Sequence, residues 1–225
     1  MLCLIFKMGF FNNLQLFCRN RNALNTLNFP LRKHYFIPVG IAISVTLVAL
    51  LGSNGAQWLR YDRIAILDGQ LWRLITAHIV HLGWSHLAMN LAGLCLIWAI
   101  FGGHIPWQRW LTLLLVGVIG ISILLFIFNP HLRWYVGLSG VLHTLFIAGC
   151  LVDLKYRRWD TRILLALVIF KLAYEQLWGP MPGSESTAGG KVIVDAHFYG
   201  AICGFLIMGF FGLIDRHKKP GSHSI

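Results

Sequence analysis

Charge is what this sequence has least of. Only 12% of its 225 residues are Asp, Glu, Lys or Arg, about half the quarter usual in a soluble domain. Acidic residues are scarcest: eight, against nineteen Lys and Arg. Hydrophobic residues make up 57% and the mean hydropathy is +0.67. That much apolar surface needs lipid as well as a core, so the class is an all-α polytopic membrane protein with one membrane domain. Cysteine is also sparse. Cys3, Cys18, Cys95, Cys150 and Cys203 include no CxxC pair, and none lies in a candidate external loop. A disulfide framework and a Cys metal site are therefore not expected. The opening MLCLIFKMGFFNNLQLF lacks a small-x-small cleavage site and is interrupted by Lys7, Asn12, Asn13 and Gln15. It reads as a cytoplasmic extension rather than a signal peptide, with Met8 as an alternative start. No acidic residue is read as lying inside the bundle, and no internal repeat is evident. Both absences weigh against a small transporter.

What is present is a set of apolar stretches. Six spans are expected: about 35–51, 85–101, 110–128, 139–152, 163–178 and 196–214. Pro38 would sit in the first turn of the first span, where its missing N–H costs little. Residues 52–84 mix Trp58, Tyr61 and Trp72 with charges, and read as an interfacial loop. Residues 1–34 form the N-terminal extension, 35–214 the six-span domain and 215–225 a basic tail. With the N-terminus inside, thirteen Lys and Arg fall on cytoplasmic pieces and five on external ones. Both termini are thus expected in the cytoplasm. The net charge of +11 follows this one-sided distribution between spans, so no nucleic-acid partner is inferred. Lys171 falls within the fifth span and either faces the bundle or snorkels.

The fourth span is short. Ser139 to Val152 is fourteen residues, or about 21 Å of helix, against a hydrocarbon core about 30 Å thick. The charged turn from Asp153 to Arg162 anchors its inner end, so its outer end stops below the external surface. Residues 129–138 must dip into the membrane to meet it, which is tolerated only around protein or water. Ser139 is expected at the floor of a cavity open to the outside.

Polar residues in the apolar stretches supply the chemistry. Ser139 opens a helix within Gly137-Leu138-Ser139-Gly140. There it is either a capping serine or a nucleophile at the positive end of the helix dipole. His197 precedes Gly200 and Gly204, a small-xxx-small face that lets helices approach closely. If that helix packs on the fourth, His197 reaches Ser139 as its base; otherwise the histidine and glycines serve packing alone. His86 and Asn90 share a face at i, i+4 and offer donors for an oxyanion, or for helix–helix hydrogen bonds. His78 and His81 have metal-ligand spacing, yet no carboxylate lies nearby to complete a site, and no metal or cofactor is expected. Asp195 reads as the cap of the last helix. GSESTAGGKV (residues 183–192) lacks the spacing of a phosphate loop; Pro180, Pro182 and the run Gly183 to Gly190 read as a mobile loop placed to gate the route to Ser139.

These residues resemble those of the rhomboid intramembrane serine proteases. The resemblance spans about Gln70 to Gly209. It rests on Trp72-Arg73, His81, His86-x-x-x-Asn90, Gly137-x-Ser139-Gly140 and Ala196-His197-x-x-Gly200-x-x-x-Gly204. It implies a six-helix bundle with a short central fourth helix. It also implies a Ser139–His197 dyad without an acid, oxyanion contacts from His86 and Asn90, and Trp72-Arg73 in the first external loop. Many bacterial rhomboids carry a tyrosine four residues after the serine, stacked on the histidine. Here that position is His143, a second titratable group beside His197. The GLSGVLH sequence and the minimal length resemble the rhombosortase subgroup, which implies processing of secreted proteins that end in a Gly-Gly-type membrane tail. The expected partners are membrane proteins with C-terminal or single transmembrane helices, in a bacterial inner membrane. The alternatives are a general rhomboid protease and a non-catalytic rhomboid-like protein that binds membrane helices.

Overall fold

A computed structural model describes residues 31–156 and 159–217. Most of the expected N-terminal extension, the charges at 157 and 158 and the tail beyond His217 lie outside the described residues. The described residues form ten α-helices: α1 (Leu31–Leu50), α2 (Gly52–Leu59), α3 (Arg63–Leu67), α4 (Arg73–Thr76), α5 (Trp84–Phe101), α6 (Trp107–Phe128), α7 (Ser139–Asp153), α8 (Trp159–Trp178), α9 (Ser184–Ala188) and α10 (Val194–His217). Two short strands, β1 (Tyr61–Asp62) and β2 (Trp134–Tyr135), pair antiparallel with Tyr61 opposite Tyr135. The protein is an all-α, multi-pass membrane protein.

Among the described residues three helices, α5, α6 and α10, are long and apolar enough to cross a membrane, and α1 and α2 form a further pair bent by 118°. Their outward faces stay apolar: Leu115, Ile119, Ile123 and Ile127 on α6, and Phe205, Leu206, Phe210 and Leu213 on α10, are exposed. Such faces are stable against lipid and a liability in water.

The helices run past the apolar stretches by a few residues at several ends, because hydropathy marks the lipid-compatible part and not the last hydrogen bond. One expectation is corrected by this. Helix α1 begins at Leu31, so Pro38 lies inside it rather than in its first turn. The good helix formers before it extend the helix despite their polarity. The segment 52–84 is not a plain loop but carries α2, α3, β1 and α4. Likewise residues 183–190 hold α9, where the Ser186 and Thr187 hydroxyls donate to the Gly183 carbonyl and Ala188 is buried.

Helix α7 is the centre of the fold. Ten of its fifteen residues are buried, and it packs against α5, α6, α8 and α10. Its Val141, Leu145 and Ala148 join one core with Leu94 and Phe101 of α5, Leu113 and Ile121 of α6, and Cys203 and Ile207 of α10. Cys95, Cys150 and Cys203 are free thiols.

The α7–α10 contact is backbone on backbone. A methyl group on Gly200 would land on the Gly140 carbonyl oxygen, and one on Gly204 would lie 2.5 Å from the Thr144 carbonyl oxygen. Conversely, a methyl on Gly140 would lie 2.8 Å from the carbonyl oxygen of Ala196. The Thr144 hydroxyl adds a hydrogen bond to the Gly200 carbonyl at 2.9 Å. The small-residue face inferred at Gly200 and Gly204 is thus the seam between these two helices, and α7 is its partner.

Candidate active site

The chain enters α7 through a clamped turn. Gly137 has φ +126°, a conformation open to glycine and strained for residues with a Cβ. Its N–H donates to the Ala77 carbonyl at 3.1 Å, and its own carbonyl accepts from the Tyr135 hydroxyl at 2.7 Å. With β2 paired to β1, the turn is held from several sides. Ser139 is then the first residue of the helix and Leu138 occupies the cap position. The serine hydroxyl is not used as a cap. It lies 2.9 Å from His197 Nε2.

His197 is 7% exposed and is brought there by the close seam one turn further along α10. Its ring stacks on His143, with centroids 4.5 Å apart and planes 20° off parallel. His143 Nδ1 lies 2.8 Å from the Ser139 carbonyl oxygen. A carbonyl only accepts, so Nδ1 carries the His143 proton and Nε2 is the acceptor. Lys171 Nζ, 3.3 Å from that Nε2, supplies the donor.

On its other side His197 meets a carboxylate. Nδ1 is 2.9 Å from Glu175 Oε2, and Lys171 Nζ is 2.8 Å from the same oxygen. The 3.4 Å separation of Lys171 Nζ from His197 Nδ1 is that of two donors sharing one acceptor. With Nδ1 donating, His197 Nε2 is left as an acceptor facing the serine hydroxyl. This corrects one expectation: the bundle does contain an acidic group, and its carboxylate lies beside the histidine. The signal was in the sequence. Lys171 and Glu175 are i, i+4 within an apolar stretch, and an ionisable residue there is a functional candidate by default. Lys171 faces the bundle.

His86 stands across from this group. Its Nδ1 accepts the Leu82 N–H at 3.3 Å, so its proton is on Nε2. A methyl at position 137 would lie 3.2 Å from His86 Nε2 and 3.9 Å from Ser139 Oγ. The space left by the missing Gly137 side chain therefore has a donor on one side and the serine hydroxyl on the other. Asn90 is buried, and one of its N–H groups donates to the His86 carbonyl at 3.1 Å within α5. His81 packs edge-on against His86 at 5.0 Å, and burial, with the His86 charge second, pushes it down to about 4.

Arg73 is 6% exposed and donates to the Gln70 side chain and to the carbonyls of Gln57 and Arg60. Trp72 rests on Trp58, with ring centroids 5.3 Å apart. This pair organises the first connecting segment. Asp195 does not cap α10. It lies inside the first turn and accepts from the Asn129 side chain. His78 donates to Ser122 at 2.9 Å. Among the described residues no three His, Cys, Asp or Glu side chains gather as a metal would require.

Ser139 borders a cavity of the bundle. A cavity of about 460 Å³ that includes Ser139, His143 and Lys171 opens on the flank of the bundle, walled by Gly93 and Leu96 of α5 and by Leu164 and Leu167 of α8. It exists because α5 and α8 pack against α7 and scarcely against each other. A second cavity of about 590 Å³, between residues 128–136 and 191–195, does not include the serine.

Comparison with known protein families finds a rhomboid domain over residues 68–213. The chain belongs to the rhomboid family. That domain contains each of the site residues above, from Trp72 to Gly204. Rhomboids are in general intramembrane serine proteases, the chemistry to which a serine hydroxyl on a histidine nitrogen is suited. A search of curated proteins found no match.

Proposed function

We propose that this rhomboid is an active serine endopeptidase in which Ser139 is the nucleophile and His197 the general base. The 2.9 Å contact between Ser139 Oγ and His197 Nε2, at the start of the central helix, carries the reading. Oγ attacks the scissile carbonyl while its proton passes to Nε2, and the same nitrogen returns it to the leaving amine. The oxyanion forms in the space beside Gly137. His86 Nε2–H, the Ser139 N–H and the second N–H of Asn90 are its donors. His86→Ala is expected to lower kcat roughly 10²–10³-fold, the usual cost of one oxyanion donor, with KM nearly unchanged. Gly137→Ala should cost at least as much, since its methyl would occupy the oxyanion space. Steady-state cleavage by purified variants in proteoliposomes measures both; wild-type kcat in either would remove the assignment.

Six spans follow if the bent α1–α2 pair, α7 and α8 cross with the three long helices. Helix α8 owes its lower hydropathy partly to Lys171 and Glu175, which turn inward, while Ile163, Leu167 and Phe170 stay exposed. The Lys and Arg distribution favours both termini in the cytoplasm of a bacterial inner membrane. A substrate helix reaches Ser139 through the flank between α5 and α8.

The substrate reading is rhombosortase-like: a secreted protein whose C-terminal tail has a Gly-Gly pair, an apolar helix and a basic tip. It is supported by the GLSGVLH sequence around Ser139 and by a nucleophile recessed in the bundle. A recessed nucleophile needs a scissile segment that unwinds, and each glycine weakens a helix by about 1 kcal/mol relative to alanine. A reporter bearing such a tail should be released by the wild type and not by Ser139→Ala. Replacing the Gly pair with Leu-Leu should block release; equal processing of both tails would leave a general rhomboid protease.

A further inference from the structure

We propose that Glu175 is the positioning carboxylate of His197, so that Ser139, His197 and Glu175 work as a three-residue relay with Lys171 as its counter-charge. The proposal rests on the serine-protease reading above and adds to it a residue that a serine–histidine pair alone does not need.

A Lys–Glu pair at i, i+4 on a helix face would form anyway, so the pair by itself says little. The decisive feature is the third partner. The carboxylate oxygen held by Lys171 also accepts from His197, which comes from a different helix. Glu175 is 2% exposed, and a buried carboxylate is tolerated only where donors satisfy it. Here two donors, one from α8 and one from α10, converge on Oε2. Removing His197 from the arrangement would leave half of that satisfaction undone.

The arrangement determines which nitrogen of His197 is basic. Glu175 accepts from Nδ1–H, so the lone pair lies on Nε2, toward Ser139. During acylation the proton leaves Ser139 Oγ for His197 Nε2 as the Oγ–carbon bond forms. The imidazolium then carries a positive charge, and the Nδ1–H···Oε2 contact becomes a charge-assisted hydrogen bond. The proton goes on to the leaving nitrogen as its bond to carbon breaks. Glu175 stays ionised throughout and takes no proton. In the resting state Lys171 balances its charge, so the buried cluster is neutral overall.

The groups facing His197 are Lys171 and Glu175 from α8, Ser139 and His143 from α7, and His86 from α5; Asp195 and Tyr199 flank it on α10. Lys171 disfavours the imidazolium and Glu175 favours it. Removing only the carboxylate charge must therefore move the protonation of His197 to lower pH.

The test is the pH profile of Glu175→Gln, which keeps size and removes charge. Its kcat should fall roughly 10²–10⁴-fold, as when the acid of a serine triad is neutralised, with KM little changed. The acidic limb of kcat/KM should move to lower pH, and Glu175→Asp should return the limb toward its wild-type position. A merely structural glutamate would lower the amount of folded enzyme and leave the limb in place. Should the lone Lys171 destabilise the Gln variant, Lys171→Met with Glu175→Gln removes both charges and must show the same fall in kcat. Wild-type kcat in either variant, or an unmoved limb, overturns the relay. Ser139→Ala run in parallel separates the two readings: if it still cleaves, the protease assignment fails, and if it alone is inactive, only the role of Glu175 is rejected.

Discussion

Ser139→Ala and His197→Ala are each expected to reduce cleavage to background, a loss on the order of 10⁶-fold in kcat. The double variant should be no worse than either single one. The two groups act in one step: without the hydroxyl there is nothing to attack, and without Nε2 the proton has no acceptor, so removing the second group after the first changes nothing more. The two variants differ in what they do to the fold. Among the described residues the hydrogen-bond partner of the Ser139 hydroxyl is His197, so Ser139→Ala should melt close to the wild type. His197→Ala empties a buried, stacked position and leaves Glu175 with Lys171 alone; it should melt lower while remaining folded. Cleavage in proteoliposomes and thermal unfolding in detergent measure the two quantities. Near-wild-type turnover by either variant would show that the nucleophile or base lies elsewhere.

How far the site could be read from the chain depended on whether a residue's role is local. Ser139 at the head of a short helix, and His197 one turn before Gly200, are local patterns, and the helices α7 and α10 carry them at those positions. The helix seam was legible for the same reason, because glycines at i and i+4 mark a face whatever they pack against. The apolar helices were legible from hydropathy, while their ends were not, since helix continues through Leu31–His34 and Asp215–His217 beyond the apolar stretch. What a one-dimensional reading lost was tertiary. Glu175 is an ordinary i, i+4 partner of Lys171 along the chain and becomes a partner of His197 only when α8 and α10 are placed side by side. The walls of the Ser139 cavity were likewise hidden: helix length says how deep the serine lies, but the walls are set by which neighbouring helices pack loosely, here α5 and α8. Asp195 looked like a cap by sequence position and is instead bound by Asn129, a residue 66 positions away.

The close seam between α7 and α10 makes the second large effect a steric one. Gly200→Ala is expected to lower kcat by on the order of 10²-fold or more, although residue 200 touches no reacting group. Its methyl would fall on the backbone oxygen of Gly140, which cannot rotate away as a side chain would, so α10 must shift from α7. His197 rides on α10 one turn away and its Nε2 would move from Ser139 Oγ; a misplacement of about 1 Å costs about this much in rate. Overpacking of this kind also destabilises by roughly 1–3 kcal/mol, against the gain of about 0.5–1 kcal/mol that alanine gives over glycine inside a helix. The control is on the same helix. Methyl groups at Gly209 and Gly212 would meet nothing within 4 Å, so Gly209→Ala and Gly212→Ala should keep wild-type kcat and melt at or slightly above the wild type. Gly200→Ala should lose both rate and stability, and Gly204→Ala, whose methyl would sit 2.5 Å from the Thr144 carbonyl oxygen, should follow it. Helix propensity alone predicts stabilisation at all four positions, the opposite sign to that expected at Gly200 and Gly204. If Gly200→Ala cleaves as fast as Gly209→Ala, then the approach of the two backbones is not what sets His197 against Ser139.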